Sequence, residues 1–281
     1  MLDLTACEPS LLYLADTVVT ELLVRSTQLR PDDLLLVGAN CRDILQRALG
    51  HEFELRTTVD VDLGLAIANW EAYDELTEEL PTAGNTGIRY SVAGVPADLM
   101  PFGPVEQPPG TVIPATRREP MSVWGFTEVF DASLALPLPG GTTIRIPTVA
   151  GYAALKLVAW LDRSAYGEYK DASDIATALY WYAKSPAVAA HLFDSDQGQR
   201  VLLQEDMDDS VAAARILGED VARTIGHTRL SELADRWPGK QADLLYHSMT
   251  VPNATGWPAS AERRQAFVQA MERGMGLPQA D

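Results

Sequence analysis

Val37–Asp43, VGANCRD, and Thr57–Ile67, TTVDVDLGLAI, decide how this chain is read. The run DLLLV over Asp33–Val37 is apolar enough for a short buried strand. Gly38 and Ala39 make a tight turn after it, and RDILQRAL carries on as a helix from about Asn40 to Leu49. A glycine at such a turn allows backbone conformations that other residues avoid, so a ligand can come close to the amides. A helix start offers unpaired N–H groups at its positive end, a natural seat for a phosphate. Arg42 would add a charge there. A small-residue turn with an arginine after it is also a common strand-to-helix connection. Its weight here comes from the acidic strand downstream, at Asp60 and Asp62.

Asp60 to Ile67 alternates acidic and apolar residues, the period-two pattern of a strand. Asp60 and Asp62 therefore project from one face, while Val59, Val61 and Leu63 face the other way. Two carboxylates that close repel each other unless a cation lies between them. Mg²⁺ prefers carboxylate and phosphate oxygens. A third acid, Asp98, sits in the alternating stretch GVPADLMPFG between Ala97 and Leu99. If its strand neighbours the first, three carboxylates converge. That set suits an in-line displacement at phosphorus assisted by two metal ions.

Around these stretches the pattern predicts a helix over 9–29 and a strand-like alternation at His51, Phe53 and Leu55. It predicts a helix over Trp70–Leu80 with Asn69 as N-cap, and a hairpin of Ile88–Val92 and Val95–Met100 turning at Ala93-Gly94. Pro101–Pro120 reads as a long loop, with strands returning near 123–130 and 143–147. From Thr148 onward the chain reads as helical: Thr148–Arg163, Asp171–Ala183, then further helices to about Gly274. The expected class is α+β, in two parts: an α+β domain over 1–147 and a mostly helical one over 148–281.

The helix containing AALKLVAWL is apolar apart from Lys156, whose charge needs a partner or a ligand. Arg163 lies on the same face. Asp171 and Asp174, three apart, share a face of the next helix. The two faces could bind a ligand or simply pair with each other. His51, His191, His227 and His247 have no metal-ligand spacing. Trp124 and the aromatics of TALYWYA read as core, and Cys41 as a small packed residue. Neither a P-loop nor an HExxH motif occurs.

The 281 residues carry 39 acidic against 22 basic side chains, a net charge of −17. Binding to nucleic acid through the overall field is excluded, and any such contact needs a local basic groove. Arg89, Arg117, Arg118 and Arg145 are candidates for one. Two cysteines are too few for a disulfide framework. No apolar run is long enough to span a bilayer, and the start, MLDLTACEPS, lacks the features of a signal peptide. A cytoplasmic protein without a membrane partner is expected.

Taken together, VGANCRD, TTVDVDLG, VPADLMPFG, AALKLVAWLDR and KDASDI resemble the AbiEii-type nucleotidyltransferases. These belong to the DNA polymerase β-like superfamily and include toxins of type IV and related toxin–antitoxin pairs. The resemblance covers roughly residues 30–185, with the motifs in the family's order. It implies a polymerase β-like core, a mixed sheet flanked by helices, with the helical part completing the active site. Gly38, Ala39 and Arg42 match the first motif, although Ala39 lacks the hydroxyl of the serine often found there. Asp60 and Asp62 would hold Mg²⁺ (or Mn²⁺) against the triphosphate of an NTP. Asp98 would join the metal nearest the attacking hydroxyl and help remove its proton. Lys156 would contact the phosphates, and Asp171 and Asp174 match the acids of the last motif, in the nucleotide-binding set.

The implied function is transfer of NMP from an NTP to an acceptor. Some relatives modify the tRNA 3′ end, which would make tRNA a partner and a cognate antitoxin a second one. A small molecule or a protein hydroxyl as acceptor would suit an acidic enzyme better. An inactive binding module is a third reading.

Overall fold

The structure is a computed structural model, and it describes residue 4 and residues 7–56, 58–237 and 242–277. It divides into two compact units. One is formed by the chain up to Glu52 together with Arg56–Thr148; the other is formed by Phe53–Leu55 and the chain from Val149 onward.

The first unit is built on a six-stranded mixed sheet. Its strands are β1 (Leu34–Val37), β2 (Val61–Ala66), β3 (Arg89–Val92), β4 (Val95–Phe102), β7 (Leu134–Pro137) and β8 (Thr143–Ile146). A separate small ribbon pairs β5 (Thr111–Val112) with β6 (Met121–Ser122). The order across the main sheet is β3-β4-β2-β1-β8-β7. β1 runs antiparallel to β2 and parallel to β8, while β2 and β4 are parallel. β1 is Leu-Leu-Leu-Val and buried throughout, as befits a central strand covered on both faces. β2 and β4 are apolar on alternate positions: Val61, Leu63, Ala97 and Leu99 are all fully buried.

Helices complete this unit: α1 (Pro9–Arg25), α2 (Gly38–Ala48), α3 (Trp70–Thr77) and α4 (Phe126–Asp131). α1 buries Leu12, Ala15, Val18, Val19 and Leu22, a helical stripe. Asn69 caps α3 by accepting from the Ala72 N–H at 2.9 Å. α3 is anchored to the sheet by Tyr73, whose hydroxyl donates to the Leu99 carbonyl at 2.9 Å. Phe102 at the end of β4 packs edge-on against Phe126 and Phe130 of α4.

The second unit is helical: α5 (Val149–Ser164), α6 (Lys170–Lys184), α7 (Pro186–Asp194), α8 (Asp196–Gln204), α9 (Asp209–Ala234), α10 (Ala242–Ser248) and α11 (Ala261–Met275). α9 is broken at Gly226, whose backbone is non-helical. α9 and α11 approach backbone to backbone: a Cβ on Gly218 would lie 2.0 Å from the Met271 carbonyl oxygen, and one on Gly274 2.0 Å from that of Arg215. Glu205, buried after α8, is satisfied by Arg215 and Arg273. Among the described residues no helix is long and apolar enough to cross a membrane.

Several expected elements differ. α1 ends at Arg25 and not at 29, and β5 (Thr111–Val112) lies inside the stretch expected as a long loop. His51, Phe53 and Leu55 form no strand; all three are only half-buried, so the alternation has no buried side to place against a sheet. The strand expected near 123–130 is in part α4, because Phe126 and Val129 are buried three apart, a helical rather than an alternating spacing. α2 begins at Gly38 itself, two residues earlier than expected.

Leu36 is fully buried opposite Leu63. Leu36→Ala is expected to cost about 2–5 kcal/mol in urea unfolding, whereas Asn69→Ala, which removes only the α3 cap, should cost about 1 kcal/mol.

Candidate active site

The parallel pairing of β2 with β4 sets Asp62 directly beside Asp98. The antiparallel pairing of β3 with β4 sets Arg89 directly opposite Asp98. Asp60 precedes β2 and lies two residues before Asp62, on the same side. Four charged groups, three of them carboxylates, therefore share one face of the sheet. The opposite face of the same residue run is the apolar core.

Arg89 ties this face together. Its Nε donates to Asp98 Oδ1 at 2.8 Å and its Nη2 to Asp98 Oδ2 at 2.8 Å, a two-pronged fork on one carboxylate. The same Nη2 also donates to Asp60 Oδ2 at 2.7 Å. The Thr58 hydroxyl donates to the other Asp60 oxygen. Burial works against the charge of Asp60, but the Thr58 hydroxyl and the Arg89 guanidinium outweigh it and hold its pKa below the usual carboxylate range. The hydrogen bonds to Asp98, opposed by burial and reinforced by the charges of Asp98, Asp60 and Asp62, raise the pKa of Arg89 further above its already high value.

Gly38 closes the face from the β1 side. It has φ +67, and a Cβ built on it would sit 1.8 Å from Asp62 Oδ2. Only glycine fits, both for its backbone conformation and for the carboxylate pressed against it. Val37, the N-cap of α2, provides no side-chain cap for the first turn. Ala39 and Asn40 complete that turn. The Asn40 side chain is buried, and its amide oxygen has no hydrogen-bond partner among the described residues.

Arg42 is 3% exposed and its guanidinium is engaged within the unit. Nη2 lies 2.6 Å from the Arg56 carbonyl oxygen and 2.7 Å from Asp43 Oδ1. Of the other arginines considered for a groove, Arg117 donates to the Thr86 carbonyl and Arg145 faces Asp32. Arg118 is exposed, and Arg89 is the one of the four that, among the described residues, donates hydrogen bonds to the site carboxylates, Asp60 and Asp98.

Lys156, Asp171 and Asp174 are in the helical unit and are brought together there. Lys156 Nζ lies 2.7 Å from Asp174 Oδ2 and 3.3 Å from Asp171 Oδ1. Asp171 is fully buried and also takes Arg163 at 3.2 Å. Lys156 stands over the Tyr152 ring, 5.5 Å from its centroid. Burial opposes the charge of Lys156, but Asp174 and Asp171 outweigh it, so its pKa lies above the usual lysine value. The pair's contribution to stability is therefore complete throughout the neutral range and lost only as pH rises above the ordinary lysine pKa.

Asp60, Asp62 and Asp98 are the residues able to offer oxygens to a hard cation. Among the described residues no three His, Cys, Asp or Glu side chains stand gathered as a ready ligand set. Asp60 and Asp98 instead turn their oxygens to Arg89. By sequence Arg89 groups with distant arginines; the signal for its real place is its position opposite Asp98 across the Ala93-Gly94 turn, with both residues inside alternating strands. Asn40 reads as an ordinary helix-start residue, and nothing local marks it otherwise.

Compared with protein-family models and with curated proteins, the chain finds no match in either.

Gly38→Ala should destabilise the protein by about 2 kcal/mol or more, since it combines a left-handed backbone with a direct collision. Part of that loss should return in the double variant with Asp62→Ala, read as coupling in a urea double-mutant cycle. Lys156→Met removes the lysine from buried Asp174 and leaves Asp171 with Arg163, and about 3 kcal/mol is the expected cost. Wild-type stability in that variant would mean the pair contributes little to the fold.

Proposed function

We propose that the protein is a metal-dependent nucleotidyltransferase that moves NMP from an NTP to a hydroxyl acceptor. The observation that carries this reading is the face on which Asp62 and Asp98 stand side by side in register, with Asp60 next to them and the backbone of Gly38 pressed onto Asp62. The arrangement of strands, a turn and a helix start around it suits a polymerase β-like core.

The donor set is chemically right for Mg²⁺ or Mn²⁺: carboxylate oxygens on a partly exposed face, with no sulfur or imidazole. Asp60 and Asp62 would hold the ion facing the triphosphate, and Asp98 the side facing the acceptor. Once bound, the ion supplies positive charge against the leaving pyrophosphate. The chain's own groups do the rest. Gly38 keeps side-chain bulk away from the phosphates and, with the first turn of α2, offers backbone N–H groups to them. Asp98 accepts the proton of the acceptor hydroxyl as the oxygen attacks the α-phosphorus. The resemblance assigns Lys156 to the phosphates, with Asp171 and Asp174 in the nucleotide-binding set.

The same resemblance suggests the tRNA 3′ end as acceptor and a toxin–antitoxin setting in the cytoplasm. A second acceptor class, a small molecule or a protein hydroxyl, is favoured by the net charge of −17, which repels a polyanion.

The test is incubation with each labelled NTP, Mg²⁺, bulk tRNA and cell extract, followed by separation of RNA, protein and small compounds. Label is expected in one class, with EDTA abolishing it. Asp62→Asn should lower transfer by at least about a hundredfold with an unchanged melting temperature. Absence of label from all four nucleotides, or full transfer by Asp62→Asn, would overturn the reading.

A further inference from the structure

We propose that Arg89 is the resident counter-ion of the carboxylate face, holding the position of a divalent cation between Asp60 and Asp98 until one arrives, and that it must withdraw from them for the cation to bind. The inference rests on the nucleotidyltransferase reading for the identity of the cation, and on the geometry for everything else.

One nitrogen is central. Arg89 Nη2 is within hydrogen-bond distance of oxygens from two different carboxylates, 2.7 Å from Asp60 Oδ2 and 2.8 Å from Asp98 Oδ2. Those oxygens belong to two of the three carboxylates that would hold a divalent ion. A guanidinium and a divalent cation drawn to the same two carboxylates repel each other, and each weakens the other's hold. The two therefore compete. The Arg89 side chain is 32% exposed, so it has solvent to move into. Arg42 is sealed by comparison, at 3%. The place of Arg89 is also fixed by the fold: it sits opposite Asp98 in the β3–β4 register, so any movement is a swing of the side chain and not a shift of the strand.

Charge sets the direction of the effect. The Arg89 guanidinium puts one positive charge between the Asp60 and Asp98 carboxylates, and a divalent ion arriving there meets it. Without Arg89 that repulsion is gone. Removing the arginine therefore strengthens cation binding and weakens the metal-free protein. A purely structural arginine, one that only shapes the site, would have the opposite effect on cation affinity.

The experiment measures Mn²⁺ alone, by electron paramagnetic resonance at low ionic strength, on the full chain and on Arg89→Met, Arg89→Lys and Asp62→Asn. Arg89→Met is expected to bind Mn²⁺ at least about tenfold more tightly than wild type, a conservative figure for one competing charge attenuated by solvent. Arg89→Lys, which keeps a charge but not the fork, should fall between them. Metal-free Arg89→Met should melt below wild type, with Mn²⁺ raising its melting temperature by more than it raises that of wild type. If Arg89→Met fails to fold, Arg89→Lys carries the test, and tighter Mn²⁺ binding than wild type is again the expected result. Equal or weaker Mn²⁺ binding by the Arg89 variants, with binding lost in Asp62→Asn, overturns this inference and leaves the nucleotidyltransferase reading standing. No Mn²⁺ binding in any chain, or binding untouched by Asp62→Asn, overturns both.

Discussion

Three carboxylates on neighbouring positions of one sheet face repel each other, and the folded first unit has to hold them together. The bridging guanidinium of Arg89 offsets that repulsion, reaching Asp98 with a two-pronged fork and Asp60 with a shared nitrogen. The bridge joins β3, β4 and the approach to β2, so the electrostatics of the face and the pairing of the strands depend on each other.

What holds the acids on that side is the apolar side of the same strands. Val61 and Leu63 of β2, and Ala97 and Leu99 of β4, are fully buried. A slip of one residue in either strand would turn these into solvent and drive Asp62 or Asp98 into the core. The hydrophobic register thus selects the chemical face without any direct contact with a ligand. Gly38 adds a second constraint from β1, because its backbone lies against the Asp62 carboxylate with no space for a side chain.

The helical unit handles its charges differently. Asp171 is fully buried and shared by Lys156 and Arg163; Glu205, also buried, is shared by Arg215 and Arg273. Both of these buried acids have more than one cation, which is what desolvated charge requires. On the carboxylate face of the first unit the sharing runs the other way, with one arginine divided between Asp60 and Asp98. Partly exposed carboxylates can exchange their partner for a cation from solvent, whereas a buried acid needs its partners in place for the fold to form.

Local pattern was a sound guide wherever one residue period decided the outcome. The alternation in Asp60–Ile67 and around Asp98 placed each acid on the polar side of its own strand, and Gly38 before a helix marked the turn. It was a poor guide where burial rather than period decided: His51–Leu55 alternates but has no buried side, and Phe126 and Val129 are spaced for the helix that replaced an expected strand. By itself the sequence determined which side of each strand is acidic, because side-chain direction follows from the backbone period alone. Only the tertiary structure decided that Asp62 lies beside Asp98, that Arg89 spans Asp60 and Asp98, and that Lys156 is held by Asp171 and Asp174. Those contacts join different strands or different helices, and they are set by how strands and helices bury their apolar surface together.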